Sequence, residues 1–205
     1  MRYRTKVTQD TSKRGKLTRI QKRERVLLFC YFYGKIHKVD GIFEAHIYLP
    51  PSMSTIFKDM VKPVDWFVYG FNDEKECYIL KDAPNKNYMR FINKRIKAKT
   101  SKALKRGILQ YLYSPLALFI MLVANNTMYV CDYLYVYFSH NLEAEAVQEW
   151  LEKVYRINVR VFNDRKLKGI VFDMNEYSKA FAVIENDKYV GKYYKNLIQL
   201  IKERN

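Results

Sequence analysis

The chain has 205 residues, with 37 Lys and Arg against 21 Asp and Glu, a formal net charge of +16 and a pI near 9.6. At 49% hydrophobic and 16% aromatic it can bury a real core, which excludes a basic disordered tail. The longest apolar run, residues 115–124, is about half of a membrane span, and neither a basic amphipathic helix nor a lipid anchor is present. These totals point to a polyanion other than a membrane surface, since neutralising phosphates releases their condensed counterions.

The first nineteen residues carry Arg2, Arg4, Lys6, Lys13, Arg14, Lys16 and Arg19 against one acid, Asp10. Two readings of this basic arm stay open, an organelle-targeting peptide and a phosphate-seeking tail. Cys30, Cys77 and Cys131 are odd in number, far apart and without CxxC spacing, so neither a disulfide framework nor a zinc site is expected. His37, His46 and His140 are equally scattered, and no Ser-His-Asp or Cys-His order follows from them. No cofactor and no metal are expected.

In chain order, the apolar residues Val26, Leu27, Phe29, Cys30 and Phe32 predict a helix over 21–33 that Gly34 ends. Ile42, Ala45, Ile47 and Leu49 fall in a strand-like run that Pro50-Pro51 stops. A short helix over 54–60 is expected next. Runs 66–70 and 77–81 then flank Asn72-Asp73-Glu74-Lys75, a hairpin with a four- or five-residue loop. Another helix covers about 86–96. From Ala83 to Cys131 there is no acidic residue. The stretch carries Lys86, Arg90, Lys94, Arg95, Lys97, Lys99, Lys102, Lys105 and Arg106, which reads as linker plus phosphate-contacting surface.

The second half follows the same outline. A buried helix over 115–124 leads into a Tyr-rich strand pair around 127–139, where Tyr133, Tyr135 and Tyr137 alternate with Leu134, Val136 and Phe138. Asn141 is the expected N-cap of a helix with Glu143 and Glu145 in its positive first turn. Its apolar stripe is Leu142, Val147, Trp150, Leu151 and Val154. Strands over 158–162 and 169–174 follow, joined by the basic turn Arg165, Lys166 and Lys168. A helix over 176–184 and a basic terminal helix from Lys192 complete the chain. Two such halves, each a helix, two strands, a helix, two strands and a helix, make a pseudo-repeat of about ninety residues, too long for a solenoid. The fold class is α+β, with two similar subdomains.

These residues resemble the LAGLIDADG homing endonucleases and related intron maturases. "YSPLALFIMLVANN" stands where the family has an "LTPxxLAYWFMDDGG"-like stretch. "CDYLYVYFSHNLEAEAVQEWLEKVYRINVRVF" is similar to its strand, helix and next strand, and "YVGKYYKNL" to its closing "PxMxYKL". In the first half, "RERVLLFCYFYGKIH" sits where the first motif helix ends in Gly-Asp. "ILKDAPNKNYMRFINKRI" resembles the strand and helix leading to the second motif. The likeness implies two αββαββα subdomains with mixed or antiparallel saddle-shaped sheets. They are expected at residues 20–96 and 113–205, with a basic arm at 1–19 and a basic linker at 97–112.

In the family an acid at the end of each motif helix binds the divalent metal that cleaves DNA. Hard cations need anionic oxygen ligands there. Here Lys35 and Asn125 stand at those positions, and neither supplies a carboxylate. The resemblance therefore implies a binding protein without nuclease chemistry. Asp40 and Asp132, the nearest acids, lie five and seven residues downstream in the expected strand regions. An active endonuclease using them is an alternative.

The expected nucleic-acid contacts are Arg2, Arg4, Lys13, Arg14, Lys16 and Arg19 on the arm, and Lys94, Arg95, Lys97, Lys99, Lys102, Lys105 and Arg106 around the linker. Arg160, Arg165, Lys166 and Lys168 on the late hairpin join them. Tyr133, Tyr135 and Tyr137 either stack on unpaired bases or fill a sheet–helix interface, and alternation does not choose which face they take. RNA is the expected ligand, since maturases of the family bind structured RNA. The richness in Lys, Ile, Asn and Tyr is of the kind AT-rich organelle genomes encode. The most concrete expectation is an rRNA-binding component of a mitochondrial or other organellar ribosome, with neighbouring ribosomal proteins as partners. An intron maturase or splicing cofactor is the alternative. DNA ranks below RNA.

Overall fold

The computed structural model describes residues 17–97, 109, 111–138, 144–163 and 167–203. Their expected contacts aside, Arg2, Arg4, Lys13, Arg14, Lys16, Lys99, Lys102, Lys105, Arg106, Asn141, Leu142, Arg165 and Lys166 lie outside these residues. The described chain falls into two compact units, one up to residue 97 and one from residue 109.

Helix α1 (Arg19–Tyr33) begins where Thr18 and Gln21 cap each other, the hydroxyl accepting from Gln21 N and the amide oxygen from Thr18 N. This reciprocal box satisfies two otherwise orphaned N–H groups. The helix passes directly into β1 (Gly34–Val39), which pairs with β2 (Ile42–Ile47). Gly34 is the C-cap of α1, where the helix is expected to end, but it is not left-handed. Its φ is −103°, an extended conformation, and glycine is required for another reason. A Cβ would stand 2.6 Å from the Cys30 carbonyl oxygen and 2.8 Å from Cys30 Cα.

Strand β1 has no counterpart in the sequence reading. Its hairpin closes on Asp40-Gly41, both at positive φ (50° and 82°), the backbone that a two-residue type I′ turn requires. Helix α2 (Pro51–Val61) opens with proline at its first position, where the missing N–H costs nothing. Strands β3 (Phe67–Asn72) and β4 (Cys77–Asp82) form the expected hairpin, and the Asn72 side chain accepts from Lys75 N at 2.8 Å in its loop.

Helix α3 (Met89–Lys97) is started by an acid from the preceding strand. The Asp82 carboxylate accepts from Tyr88 N at 2.8 Å and Met89 N at 2.9 Å. Asp82→Ala should cost about 1 kcal/mol, the usual worth of a helix N-terminal acceptor, and a urea midpoint would show it.

The second unit repeats this order. Helix α4 (Pro115–Ala124) leads to β5 (Asn126–Val130) and β6 (Tyr133–Tyr137). Helix α5 (Ala144–Tyr155), β7 (Arg160–Asn163), β8 (Lys168–Phe172) and α6 (Met174–Glu185) follow. A 3₁₀ turn (Gly191–Tyr193) and α7 (Tyr194–Lys202) end it. Asp173 caps α6 by accepting from Glu176 N at 3.0 Å, so this helix starts two residues before Glu176. Helix α5 is moored to the segment before α4: Trp150 Nε1 donates to Leu112 O and Tyr155 Oη to Ser114 O, both at 2.7 Å.

The two sheets have the same topology, β1-β2-β4-β3 and β5-β6-β8-β7. Every pairing is antiparallel, so neither sheet is mixed. This is the expected αββαββα pseudo-repeat of an α+β fold. Helices cover one face of each sheet. In the first unit Ala45, Ile47 and Leu80 are fully buried with the α1 residues Val26–Cys30. There Phe29 meets Phe57 edge-on at 5.0 Å. In the second, Leu134, Val136, Ile170 and Phe172 are buried together with Leu116–Val123 of α4. Among the described residues no helix is long and apolar enough to cross a membrane.

Candidate nucleic-acid interface

Because side chains alternate across a strand, burying one face assigns every other residue to the opposite, open face. On the second sheet the open face carries Asn126, Met128 and Val130 of β5, and Tyr133, Tyr135 and Tyr137 of β6. Arg160 and Phe162 of β7, and Gly169 and Val171 of β8, complete it. None of these is acidic. The structure thus resolves what alternation left undecided: the three tyrosines stand away from the helices, while Leu134 and Val136 face them.

The rings of this face form one cluster. Tyr135 and Tyr137 lie nearly parallel, 17° apart with centroids at 6.1 Å, and Phe162 meets them edge-on at 5.8 and 5.3 Å. The Arg160 guanidinium lies over Tyr133 at 5.1 Å, an attraction between cation and ring face. Phe162 also explains Gly169 beneath it. A Cβ there would meet the ring at 2.7 Å and the Val136 carbonyl oxygen at 2.0 Å. Phe162 escaped the sequence reading, although its place in the run "RVF" beside Arg160 was visible.

The open face of the first sheet is different in kind. It carries Lys35, His37 and Val39 of β1, Ile42, Glu44 and His46 of β2, Cys77, Ile79 and Lys81 of β4, and Val68, Gly70 and Asn72 of β3. Glu44 and His46 are buried although they point away from the helices. Glu44 Oε1 is 2.6 Å from His46 Nε2, and Oε2 is 2.9 Å from Lys81 Nζ. Burial opposes ionisation of this carboxyl, but the hydrogen bonds and charges of His46 and Lys81 outweigh it and hold Glu44 below the usual carboxylate range. The His37 ring lies against His46, centroids 4.3 Å apart. Neither the histidines nor Glu44 were singled out as contacts from sequence, since only cross-strand register brings positions 37, 44, 46 and 81 together.

The other expected contacts disperse. Arg19 is exposed at the start of α1, and Lys94 is exposed on α3 rather than on either open face. Arg95 and Lys97 belong to α3 by their backbone. Lys168 is exposed but shares its strand parity with Ile170 and Phe172, so it does not join the tyrosines. A groove of about 820 Å³ lies among Tyr129, Tyr177, Phe181 and Tyr194, on residues of β5, α6 and α7. Burial pushes the Tyr129 hydroxyl there up to about 12.

The motif-helix ends need one correction. Counted from the last residue of each helix, or back from each two-residue hairpin turn, Lys35 corresponds to Asn126 and Asn125 to Gly34. Lys35 is exposed, and its ammonium lies 5.5 Å from the Tyr48 ring centre. Asn125 is buried and spends its Nδ2 on the Met121 carbonyl at 2.7 Å, while Thr127 Oγ1 donates to Leu122 O at 2.7 Å. These two side chains finish α4. A lysine ammonium cannot ligate a divalent cation, and the two amides offer only neutral carbonyl oxygens in place of carboxylates. Asp40 and Asp132, expected within strands, sit instead in the two hairpin turns, five and six residues past Lys35 and Asn126. Among the described residues no three His, Cys, Asp or Glu side chains gather as a metal site would require.

No family model matches the chain, and no curated protein matches it. Solved structures do. The homing endonuclease I-WcaI, bound to its DNA recognition sequence, is similar at TM-score 0.54 and 9% identity, over 87% of this chain and 83% of that one. I-DmoI, in complex with DNA and Ca, gives TM-score 0.49 and 10% identity, over 89% of this chain and all of its own. Full-length DUF199/WhiA from Thermatoga maritima gives 0.48 and 12%, over 92% of this chain, which spans 62% of that protein's length. The chain has the LAGLIDADG homing endonuclease fold.

Proposed function

We propose that this chain is a non-catalytic RNA-binding protein built on a homing endonuclease fold, with the open sheet faces as its binding surface. The observation that carries the reading is the acid-free face of the second sheet, where Tyr133, Tyr135, Tyr137 and Phe162 gather beside Arg160. Aromatic faces flanked by cations suit unpaired bases, each stack being worth about 1–3 kcal/mol. Paired bases keep their faces inside a duplex, so this surface favours RNA with splayed loops over double-stranded DNA. Lys35, Asn125 and Asn126 support the non-catalytic part, because none supplies the anionic oxygen that a metal ion for phosphodiester cleavage needs. The most concrete host is an organellar ribosome, in which the chain would hold rRNA. The basic composition supports this.

A second reading, duplex DNA binding, is favoured by the likeness to I-WcaI in its DNA complex. Purifying the intact chain from its native source and sequencing the nucleic acid retained separates the two. Ribosomal RNA is the expected result, and retention of one intron RNA would assign a splicing role instead. Magnesium-dependent cutting of a DNA duplex, lost in Asp40→Asn or Asp132→Asn, would overturn the proposal.

A further inference from the structure

A buried carboxylate is out of place on a surface that meets phosphates, because it repels them unless its charge is used up. On the first sheet it is used up. Both oxygens of Glu44 are engaged, one by His46 and one by Lys81. An ionised carboxylate only accepts hydrogen bonds, so His46 Nε2 carries the proton in this contact. A neutral His46 ring therefore keeps Nδ1 as its acceptor. Glu44 thereby fixes the imidazole's orientation and draws Lys81 across from the neighbouring strand.

The surrounding groups are cations or groups that become cations. Lys35 stands opposite His46 and His37 opposite Glu44 on β1, with Lys81 opposite Glu44 on β4. Ile79 and buried Cys77 continue this face on β4, and β3 contributes Val68, Gly70 and Asn72, so no further acid stands on it. With neutral imidazoles, two lysines against one glutamate leave this patch one positive charge. Protonation of both rings raises it to three. Lys35, His37 and Lys81 are exposed, so a phosphate can reach them, whereas buried His46 acts through the His37 ring tilted against it.

We propose that the Lys35–His37–Lys81 patch, positioned by Glu44 and His46, is a phosphate-binding site whose affinity rises with imidazole protonation. The inference rests on the nucleic-acid-binding reading and adds a regulation to it. Histidine is the side chain whose charge changes between about pH 5 and 8. A phosphate that binds the protonated patch better must raise proton affinity by the same factor, since linkage is reciprocal.

The test uses the full chain and a Cy5-labelled RNA hairpin with a single-stranded loop, titrated at constant ionic strength from pH 5.5 to 8.5. RNA should bind roughly tenfold more tightly at the acid end, within the usual range of coupling between sites. The salt dependence should steepen there by about one to two counterions. His37→Gln, a change at an exposed ring, should flatten the pH profile. Circular dichroism at each pH shows that the chain remains folded. Tight binding with a flat profile in the native chain would overturn the inference and leave the RNA reading intact. A profile unchanged by His37→Gln would also overturn it. No binding at any pH in about 50 mM salt would instead remove the RNA reading, and this inference with it.

Discussion

Gly169→Ala should destabilise the second unit by about 3 kcal/mol or more, the upper end of the cost of overpacking. A Cβ at this position would lie 2.0 Å from the Val136 carbonyl oxygen and 2.7 Å from the Phe162 ring. The ring could swing aside. The carbonyl cannot, because Val136 is held in register between β5 and β8. Strand β8 would have to move away from β6, and Ile170 and Phe172 would leave the core with it. At about 2–4 °C per kcal/mol for a chain of this size, the melting temperature should fall by roughly 10 °C. Phe162→Ala in the same chain should not restore it, since the first obstacle is backbone. Gly70→Ala is the control. Nothing lies within 4 Å of its added methyl, so its effect should stay within about 0.5 kcal/mol. A Gly169→Ala variant that melts like the native chain would show that the β6–β8 contact is looser than described.

Raising monovalent salt from about 50 to 200 mM should weaken RNA binding by about a thousandfold, the loss expected when at least six phosphates are neutralised. The net charge of +16 is ample for that number. Its distribution matters more than its size. The open face of the second sheet offers Arg160 with no acid beside it, and that of the first sheet offers Lys35 on its outer strand. Lys35→Ala and Arg160→Ala should each lower the slope of log affinity against log salt by about 0.7–0.9. Arg160→Ala should also lose affinity that salt does not recover, because the Tyr133 ring loses the cation over it. A flat salt response would mean that the charge serves solubility and that the ligand is held by other forces.

Much of the architecture was legible because it depends on local pattern. Apolar residues mark α1 and α4, the latter from Pro115, whereas Pro50-Pro51 reads as a strand stop and places the start of α2 three residues late. Where the reading failed, the decisive contact was tertiary or the turn chemistry was overlooked. Strand β1 was missed although Asp40-Gly41 is among the strongest short hairpin signals. Its residues Lys35, His37 and Val39 are a poor hydrophobic pattern because that side of the strand faces away from the helices. Gly34 ends α1 as its place in the sequence suggests, but only the structure shows that its lack of a side chain serves the close passage past Cys30. The pairing of Lys35 with Asn125 was one residue out. Only the hairpin register exposes such a slip, since one residue reverses the face on which a side chain stands.

Composition and periodicity alone determined that this protein is a folded α+β chain of two similar halves with a large excess of positive charge. Residue identity alone also fixes that no carboxylate directly follows α1 or α4, the helices that the resemblance matches to the motif helices. Which face the tyrosines take was decided only by the tertiary structure, for a strand's alternation is symmetric until helices bury one side. The same holds for the Glu44–His46–Lys81 network. Those residues lie on two strands, and antiparallel register alone sets which side chains become neighbours. Without that register the first open face is a scatter of ionisable residues. With it, they form a charged patch organised around one buried acid.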